Sequence, residues 1–356
     1  MERTKSEAMP TELLLTAPRA IRIASYDEPG LETSEMQAEA IASGISHGTE
    51  LALYRGDSTF GGKRFDVDLR QFVEAPENEL YPMRLGYEWV GRVSAVGPDV
   101  RGIEVGDHVH LTLPHRETHA VEIGDDPFAP WLVLPRGVES ERAAVLQSAA
   151  IALQAVHDAR LKVGDRVAIF GLGVFGLLAV QLARLSGAGW VAAVDPITGR
   201  RELARSFGAE CTLDPDSCDA GREIKRAAGR GGPEVAIEFS GRYAALHEAM
   251  RCVTLAGTVV AAGFYVGGAG TDLRLGEEFH HNRLTLVGSM SGWGAPQREP
   301  GWDRRRLRET ALDFLAHGRL DVDAFITHRV PFERAAEAYE LIDGRPEDAL
   351  RVVLTY

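Results

Sequence analysis

The sequence predicts an α/β protein of two domains, one irregular and β-rich, the other a doubly wound parallel sheet. Three observations carry this. The length of 356 residues exceeds what one hydrophobic core ordinarily fills. Residues 10 to 140 break into short strand-like runs punctuated by Gly and Pro. From Arg166 onward, buried-type strands alternate with helical patterns, as in a parallel sheet covered on both faces.

Taken in order, WVGRVSAVG (Trp89 to Gly97) and GDHVHLTL (Gly106 to Leu113) read as strands of the first region. Residues 141 to 160, ERAAVLQSAAIALQAVHDAR, space apolar residues helically without Gly or Pro, which predicts one joining helix. Then come the strand RVAIF from Arg166, a helix through LLAVQLARLSG, the strand WVAAVD, a helix over GRRELARSFGA, and the strands EVAIEFS and GTVVAAGF. A helix over Arg304 to Ala316 and the strand LRVVLTY follow. There is no internal repeat and no low-complexity segment.

Charge narrows the function classes. With 39 Lys+Arg against 52 Asp+Glu the net charge is −13, too acidic for an electrostatic grip on nucleic acid or anionic lipid. A 45% hydrophobic, 26% charged composition belongs to a folded chain. The opening MERTKSEAMPTE lacks the apolar stretch of an export signal, and the longest apolar run, Val167 to Val180, is glycine-broken and shorter than the roughly 20 residues of a membrane span. The expectation is a cytoplasmic protein without a membrane segment. Cys211, Cys218 and Cys252 have no metal-ligand spacing and imply no disulfide framework.

The sharpest motif is Gly171-Leu172-Gly173-Val174-Phe175-Gly176, a G-x-G-x-x-G between a strand and a helix. Its glycines permit a tight turn, close approach of backbone to a pyrophosphate, and close helix packing. The free N–H groups at the helix start then hold the diphosphate. Asp195 ends the next strand 19 residues after Gly176, where a carboxylate accepts from both ribose hydroxyls and repels a 2′-phosphate. NAD is therefore favoured over NADP, with Arg200 and Arg201 close enough in sequence to soften the preference. Val174, Phe175, Ser240, Gly263 and Ser289 complete the expected cofactor contacts.

These and four further pieces resemble the medium-chain dehydrogenase/reductase superfamily, the zinc alcohol dehydrogenase group. The pieces are SGISHGTELALYRG (43 to 56), GYEWVGRVSAVG (86 to 97), VGDHV (105 to 109), LKVGDRVAIFGLGVFG (161 to 176) and the ending LRVVLTY. The resemblance implies a GroES-like catalytic domain split by an inserted Rossmann domain, with boundaries at 1–150, 151–288 and 289–356 and an active site in the cleft between them. It implies that Arg351 returns to the cofactor phosphates, the alternative being an edge-strand charge. It also implies a homodimer through the strand Leu284 to Val287.

The sequence departs from that group where zinc binds. Family members use a Cys in a CGICGTD-like segment, a His in GHE, and a Cys or acid near the joining helix. Here the first segment is one residue longer, so Ser46 or His47 takes the ligand position; GHE has become Gly86-Tyr87-Glu88, and the helix start offers Gln147 and Ser148. A tyrosine and an amide make a poor zinc site, so the expectation is no catalytic zinc. Too few cysteines exist for a structural zinc lobe. His108, His110, His115 and His119 are expected to be exposed or pocket-lining, His115 bordering the substrate. Among zinc-less members the chain resembles the bacteriochlorophyllide a dehydrogenase branch, through GIS-x-GTE, GY for GH, Pro-His after the GD-x-V strand, and the stretch Gly276 to Leu286.

Without a Lewis acid, side-chain donors must carry the charge of the reacting oxygen. Tyr87 is expected as donor or acid, His47 as base or relay, Thr49 as the proton-relaying hydroxyl and Glu88 as a paired supporting carboxylate. Ser46, His115, Gln147 and Trp293 are the expected substrate-pocket residues, Trp293 serving as wall or as packing. The insertion Asp57 to Tyr81 either closes over the substrate or serves the dimer. The leading reading is an NAD-dependent, metal-independent oxidoreductase of a secondary alcohol or ketone on a cyclic, polyol or specialised metabolite. A zinc-free quinone or enoyl reductase using NADPH is opposed by Asp195. A catalytically silent dinucleotide-binding protein is opposed by the polar residues kept in the cleft.

Overall fold

The computed structural model describes residues 9–76, 80–126, 128–266, 273–290 and 298–356. The first part supplies β1 (Thr11–Ala17), β2 (Ala20–Ser25), β3 (Glu35–Gly44), α1 (Thr49–Arg55), β4 (Lys63–Asp66), β5 (Gln71–Glu74), β6 (Met83–Arg84), β7 (Trp89–Val96), β8 (His108–Leu111), β9 (Thr118–Glu122) and β10 (Trp131–Val133). Helices α2 (Ser140–Ala143) and α3 (Leu146–Asp158) lead to β11 (Arg166–Phe170), α4 (Val174–Leu185), β12 (Trp190–Val194), α5 (Thr198–Ser206), β13 (Cys211–Leu213), α6 (Ala220–Ala228), β14 (Val235–Glu238), α7 (Tyr243–Cys252), β15 (Thr258–Ala261) and β16 (Thr285–Gly288). Beyond them lie α8 (Arg304–Ala316), β17 (Ile326–Pro331), α9 (Ala335–Gly344) and β18 (Arg351–Thr355).

The second domain is a six-stranded, all-parallel sheet in the order β13-β12-β11-β14-β15-β16. Its central strands read as unbroken apolar runs because helices cover both faces: four of five residues in RVAIF and all four in β14 are buried. The order reverses between β11 and β14, and the crevice beyond the carboxyl ends at such a point is where ligands bind. At the far edge β16 carries the exposed Leu286.

The first domain is built on a sheet ordered β10-β8-β7-β3-β18-β17, with β9 also on β3. β18 lies antiparallel to β3 and parallel to β17, so residues beyond 350 complete a sheet begun near residue 35. Together with the inserted parallel sheet this is an α/β fold of a GroES-like and a Rossmann domain, as the sequence predicts.

The expected single helix over 141 to 160 is two helices, interrupted at Ala144 and Val145. The reason lies far away in sequence. Glu88 accepts from the backbone N–H of Gln147 and of Ser148, at 2.9 and 2.6 Å, so a buried carboxylate caps the start of α3 in place of any side chain of its own. α3 buries eleven of its thirteen residues, and its run of alanines brings it close to α4 and α8. It is continuous across residue 150, the expected domain boundary. Among the described residues no helix is long and apolar enough to cross a membrane.

Candidate active site

Three glycines shape the turn after β11. Gly171 has φ +82°, and a Cβ there would lie 2.7 Å from the Ser240 backbone nitrogen. A Cβ on Gly176 would stand 1.9 Å from the Gly171 carbonyl oxygen, so helix and turn pack too closely for any side chain. Gly173, the residue before α4, faces open space with nothing within 4 Å of its Cβ position. That opening, above the unpaired N–H groups of a 12-residue helix, is a cradle for a diphosphate. Asp195 is 5% exposed; its Oδ2 accepts from Leu172 N at 2.8 Å and its Oδ1 from Ile197 N at 2.9 Å. The carboxylate is thereby locked against the glycine turn, with lone pairs left for ribose hydroxyls. Arg200 is 4.0 Å from Asp195 but donates to the carbonyls of Pro346 and Ala349, while Arg201 donates to the Asp195 carbonyl and to Thr198 Oγ1. Both guanidiniums are thus engaged within the protein. The residues fit a dinucleotide.

Across the cleft, β3 and α1 deliver Ser46, β7 is preceded by Tyr87 and Glu88, and the first turn of α3 carries Gln147. Tyr87 donates to Ser46 Oγ at 2.6 Å, and Ser46 N donates to Glu50 Oε1 at 2.8 Å. Burial pushes the Tyr87 phenol well up, the Ser46 hydrogen bond only partly opposing it, so the phenol keeps its proton. Glu88 is wholly buried and accepts from Gln147 N, Ser148 N, Ser148 Oγ and His110 Nε2. Burial alone would raise its pKa, but the His110 bond and the Arg351 charge 3.7 Å away outweigh it and hold the carboxyl below its ordinary range. Behind it stands Arg308 of α8, 1% exposed, whose Nη2 donates to His110 Nδ1 at 3.1 Å. Arg308 also donates to the Ala129 and Pro130 carbonyls. Since Nδ1 accepts, Nε2 carries the hydrogen, and a neutral imidazole passes the Arg308 charge on to Glu88. Burial likewise lowers the pKa of His110.

By the resemblance a catalytic zinc would draw on Tyr87, Gln147 and either Ser46 or His47. Ser46 and Tyr87 are hydroxyls bonded to each other, Gln147 is an amide, and the nearby carboxylate of Glu88 is spent on four donors, which leaves the His47 imidazole as the one customary zinc donor of the set. Zinc takes several thiolate, imidazole or carboxylate ligands, so one imidazole beside hydroxyls and an amide is a poor fit. Among the described residues, the cluster of three that could hold a metal is His247, Glu277 and Glu278 in the Rossmann domain, none of them part of this site.

The comparisons agree with this architecture. The family described as "Alcohol dehydrogenase GroES-like domain" matches residues 58–155, and that described as "Zinc-binding dehydrogenase" matches residues 174–314. D-guloside 3-dehydrogenase of Escherichia coli K12 is 32% identical over 351 residues, covering 97% of this chain and 99% of that protein. The chain belongs to the medium-chain dehydrogenase/reductase superfamily. Within it, (R,R)-butanediol dehydrogenase of Bacillus subtilis is 30% identical over 89% of this chain and 91% of its own. The crystal structure of 2R,3R-butanediol dehydrogenase from the same organism matches in fold with a TM-score of 0.78 at 23% identity, covering 98% of this chain and 99% of that one.

Against that family frame, several expected residues sit elsewhere. His115 does not border a pocket: it is fully buried, with Nε2 3.1 Å from Glu50 Oε2 and Nδ1 2.7 Å from Ser43 Oγ. Glu50 also accepts from Tyr339, so this acid and His115 brace the Ser46 segment from behind. His110 and His119 are buried too, contrary to expectation, because each finds a partner inside: Glu88 for the first, the Pro114 carbonyl for the second. Arg351 is not the exposed edge-strand charge of the alternative reading. It is 1% exposed, donating to the Ile45 carbonyl at 3.0 Å and to Ser148 Oγ at 2.5 Å, although its Nε has no partner among the described residues. His47 is half-buried, and its Nε2 is enclosed without a partner among the described residues. Burial lowers its pKa, and Arg351, Arg200 and His328 lower it further. Tyr87 thus stands among carboxylates and His47 among cations. Thr49 opens α1 half-buried; the Gln147 side-chain oxygen is buried and unpartnered among the described residues. Ser240 N and Oγ bond Glu238, and the Gly263 and Ser289 amides donate to the Glu238 and Ala261 carbonyls, which puts all three at the carboxyl edge of the sheet. Trp293 lies outside the described residues.

Sequence reasoning missed Glu50, Arg308 and Glu238. Glu238 closes β14, is wholly buried, and accepts from Ser240, Gly241 and Tyr265; burial raises its pKa against those bonds. A carboxylate ending an otherwise apolar strand, EVAIEFS, was the available signal.

Proposed function

We propose that this chain is an NAD(H)-dependent oxidoreductase that interconverts a ring secondary alcohol of a sugar-like substrate and its ketone, with hydroxyl donors rather than zinc at the reacting oxygen. The observation that carries this reading is the Tyr87–Ser46 hydroxyl pair, 2.6 Å apart; the resemblance puts metal donors at Tyr87 and at Ser46 or His47. Kinship to a guloside dehydrogenase and a butanediol dehydrogenase supports secondary-alcohol chemistry. The locked Asp195, with Arg200 and Arg201 engaged elsewhere, supports NAD over NADP.

The bound nicotinamide supplies the hydride acceptor or donor. The chain's own part is to place the substrate oxygen and exchange its proton, which the half-buried Thr49 hydroxyl passes to solvent on oxidation and returns on reduction. Tyr87 keeps its proton and gives its hydrogen bond to Ser46, which polarises the Ser46 O–H toward the oxygen that gains charge as the hydride arrives. Glu50, held by His115 and Tyr339, fixes the Ser46 backbone. His47, neutral and ringed by cations, suits the anionic dinucleotide better than the role of general base.

The test is Tyr87→Phe, with initial rates of NADH formation on hexosides and vicinal diols, NAD and NADP titrations, and metal content of the pure enzyme. A loss of kcat of about 10²-fold, the cost of one oxyanion donor, with NAD affinity unchanged is expected. About one zinc per chain, with activity lost on chelation and kept in Tyr87→Phe, would overturn the proposal.

A further inference from the structure

Glu238, at the carboxyl end of β14, is wholly buried, and all four of its side-chain hydrogen bonds come from neutral donors of the two turns beside it. Oε1 accepts from Ser240 N at 2.5 Å and from Ser240 Oγ; Oε2 accepts from Gly241 N at 3.1 Å and from the Tyr265 hydroxyl at 2.5 Å. Burial and the Glu238 charge raise the pKa of Tyr265, so its phenol keeps the proton it donates. The backbone carbonyl of Glu238 accepts from Ala262 N and Gly263 N, both at 2.9 Å. Main chain and side chain of one residue thus tie the turn after β14 to the turn after β15. The two turns meet backbone on backbone: a Cβ on Gly263 would lie 2.3 Å from Gly241 N and 3.0 Å from Glu238 Oε2, and one on Gly241 would lie 2.5 Å from the Phe264 carbonyl oxygen. A carboxylate enclosed among neutral donors costs free energy that an apolar residue ending this strand would not. Ser240, above it, is exposed and abuts the cofactor turn, since its N is the atom 2.7 Å from where a Cβ on Gly171 would be. What the carboxylate contributes is the placement of the crevice edge.

The parallel sheet reverses its strand order between β11 and β14, and in a doubly wound sheet each half serves one mononucleotide. The ends of β11 and β12 carry the glycine turn and Asp195, which suit the diphosphate and the adenosine ribose. The ends of β14 and β15 fall to the other half. We propose that Glu238 is a positioning residue for the ribose and ring of the nicotinamide half: by clasping the turn at 240–241 to the turn at 262–265 it fixes the floor on which they are laid. This rests on the reading of the chain as a dinucleotide-dependent dehydrogenase and is independent of metal and substrate. In Glu238→Gln an amide nitrogen replaces one acceptor oxygen. A hydroxyl partner can turn to accept from it, but a backbone N–H cannot, so the Ser240 or the Gly241 amide loses its partner and the clasp opens on that side.

The experiment measures dissociation constants of NADH, by its fluorescence, and of ADP, by calorimetry, on wild type, Glu238→Gln and Tyr265→Phe. ADP keeps the adenosine and the diphosphate and lacks the ribose and ring of the nicotinamide half. Glu238→Gln is expected to weaken NADH about tenfold while leaving ADP binding unchanged. Tyr265→Phe, which removes one of the four donors and no acceptor, is expected to give a smaller loss of the same kind. Equal weakening of NADH and ADP, or no change in either, would overturn the clasp and leave the dehydrogenase reading intact, because a general disturbance of the sheet would not spare one half of the cofactor. If Glu238→Gln does not fold, Tyr265→Phe decides by the same comparison. Binding of neither NADH nor ADP by wild type would refute the dinucleotide reading, and the clasp with it.

Discussion

Replacing Arg308 with Met tests whether the active-site carboxylate is held in place from 308 − 88 = 220 residues away in sequence. Arg308→Met keeps the length of the apolar stem while removing a cation that is 1% exposed. Four contacts disappear, to Ala129 O, Pro130 O, His110 Nδ1 and His110 O. Pro130 O keeps the N–H of Thr112, but Ala129 O and His110 Nδ1 lose the donor they share. At about 1–3 kcal/mol for each buried group left unsatisfied, the cost is about 2–6 kcal/mol. Breaking a buried charge pair, at about 3–5 kcal/mol, falls in the same range. A urea titration of Arg308→Met, His110→Phe and the double variant measures both the loss and the coupling. If Arg308 acts through His110 on Glu88, the double variant is less destabilised than the sum of the singles by at least about 1 kcal/mol. Additive losses, or singles below about 1 kcal/mol, would refute a continuous line of charge. A second readout is the kcat of Arg308→Met, which falls because Glu88 also caps α3, whose first turn carries Gln147.

Two further outcomes follow from geometry and burial. Gly173→Ala should fold and lose dinucleotide affinity, because its Cβ enters only the open cradle, whereas Gly176→Ala should fail to fold, its Cβ meeting the Gly171 carbonyl at 1.9 Å; fluorescence titration with NADH and circular dichroism separate the two. His119, 4% exposed, has its pKa pushed down to about 3 by burial, against 6.5 when unfolded. The unfolded chain therefore binds more protons between those values, and stability falls as the pH drops through that window. At pH 5 the loss from this one group is about 2 kcal/mol relative to pH 7. His119→Gln should flatten the pH dependence of the urea midpoint between pH 4 and 6, and an unchanged slope would remove His119 as the cause.

What the sequence made legible was whatever is local or periodic. The unbroken apolar strands, the glycine turn with Asp195 at its fixed spacing, and the helix Arg304 to Ala316 all leave a pattern in one dimension. The buried charges leave none. Arg308 sits in RRRLRE and reads as one more solvated arginine, and His110 shares a strand face with His108, so the strand period alone does not say whether that face turns inward. Only the packing of α8 on α3 and the pairing of β7 with β8 brings Arg308, His110 and Glu88 into line. The break at Ala144 was hidden for the same reason, since its cause is a carboxylate from another element. KRFDVDLRQFVE has the alternation of a hairpin, but its charges and exposed apolar residues obscured it.

The position of β18 also bears on how the protein is made. The Rossmann sheet uses a contiguous run from Arg166 to Gly288 and can form as soon as that run leaves the ribosome. The catalytic sheet cannot, because β18 lies inside it, between β3 and β17, and arrives some 300 residues after β3. Arg351 travels on that strand, and with it the contacts to Ile45 and Ser148 that join the first segment to the joining helix. A chain that stops short of Arg351 can thus form its parallel sheet while the other sheet still lacks β18 and the Arg351 contacts that join its parts.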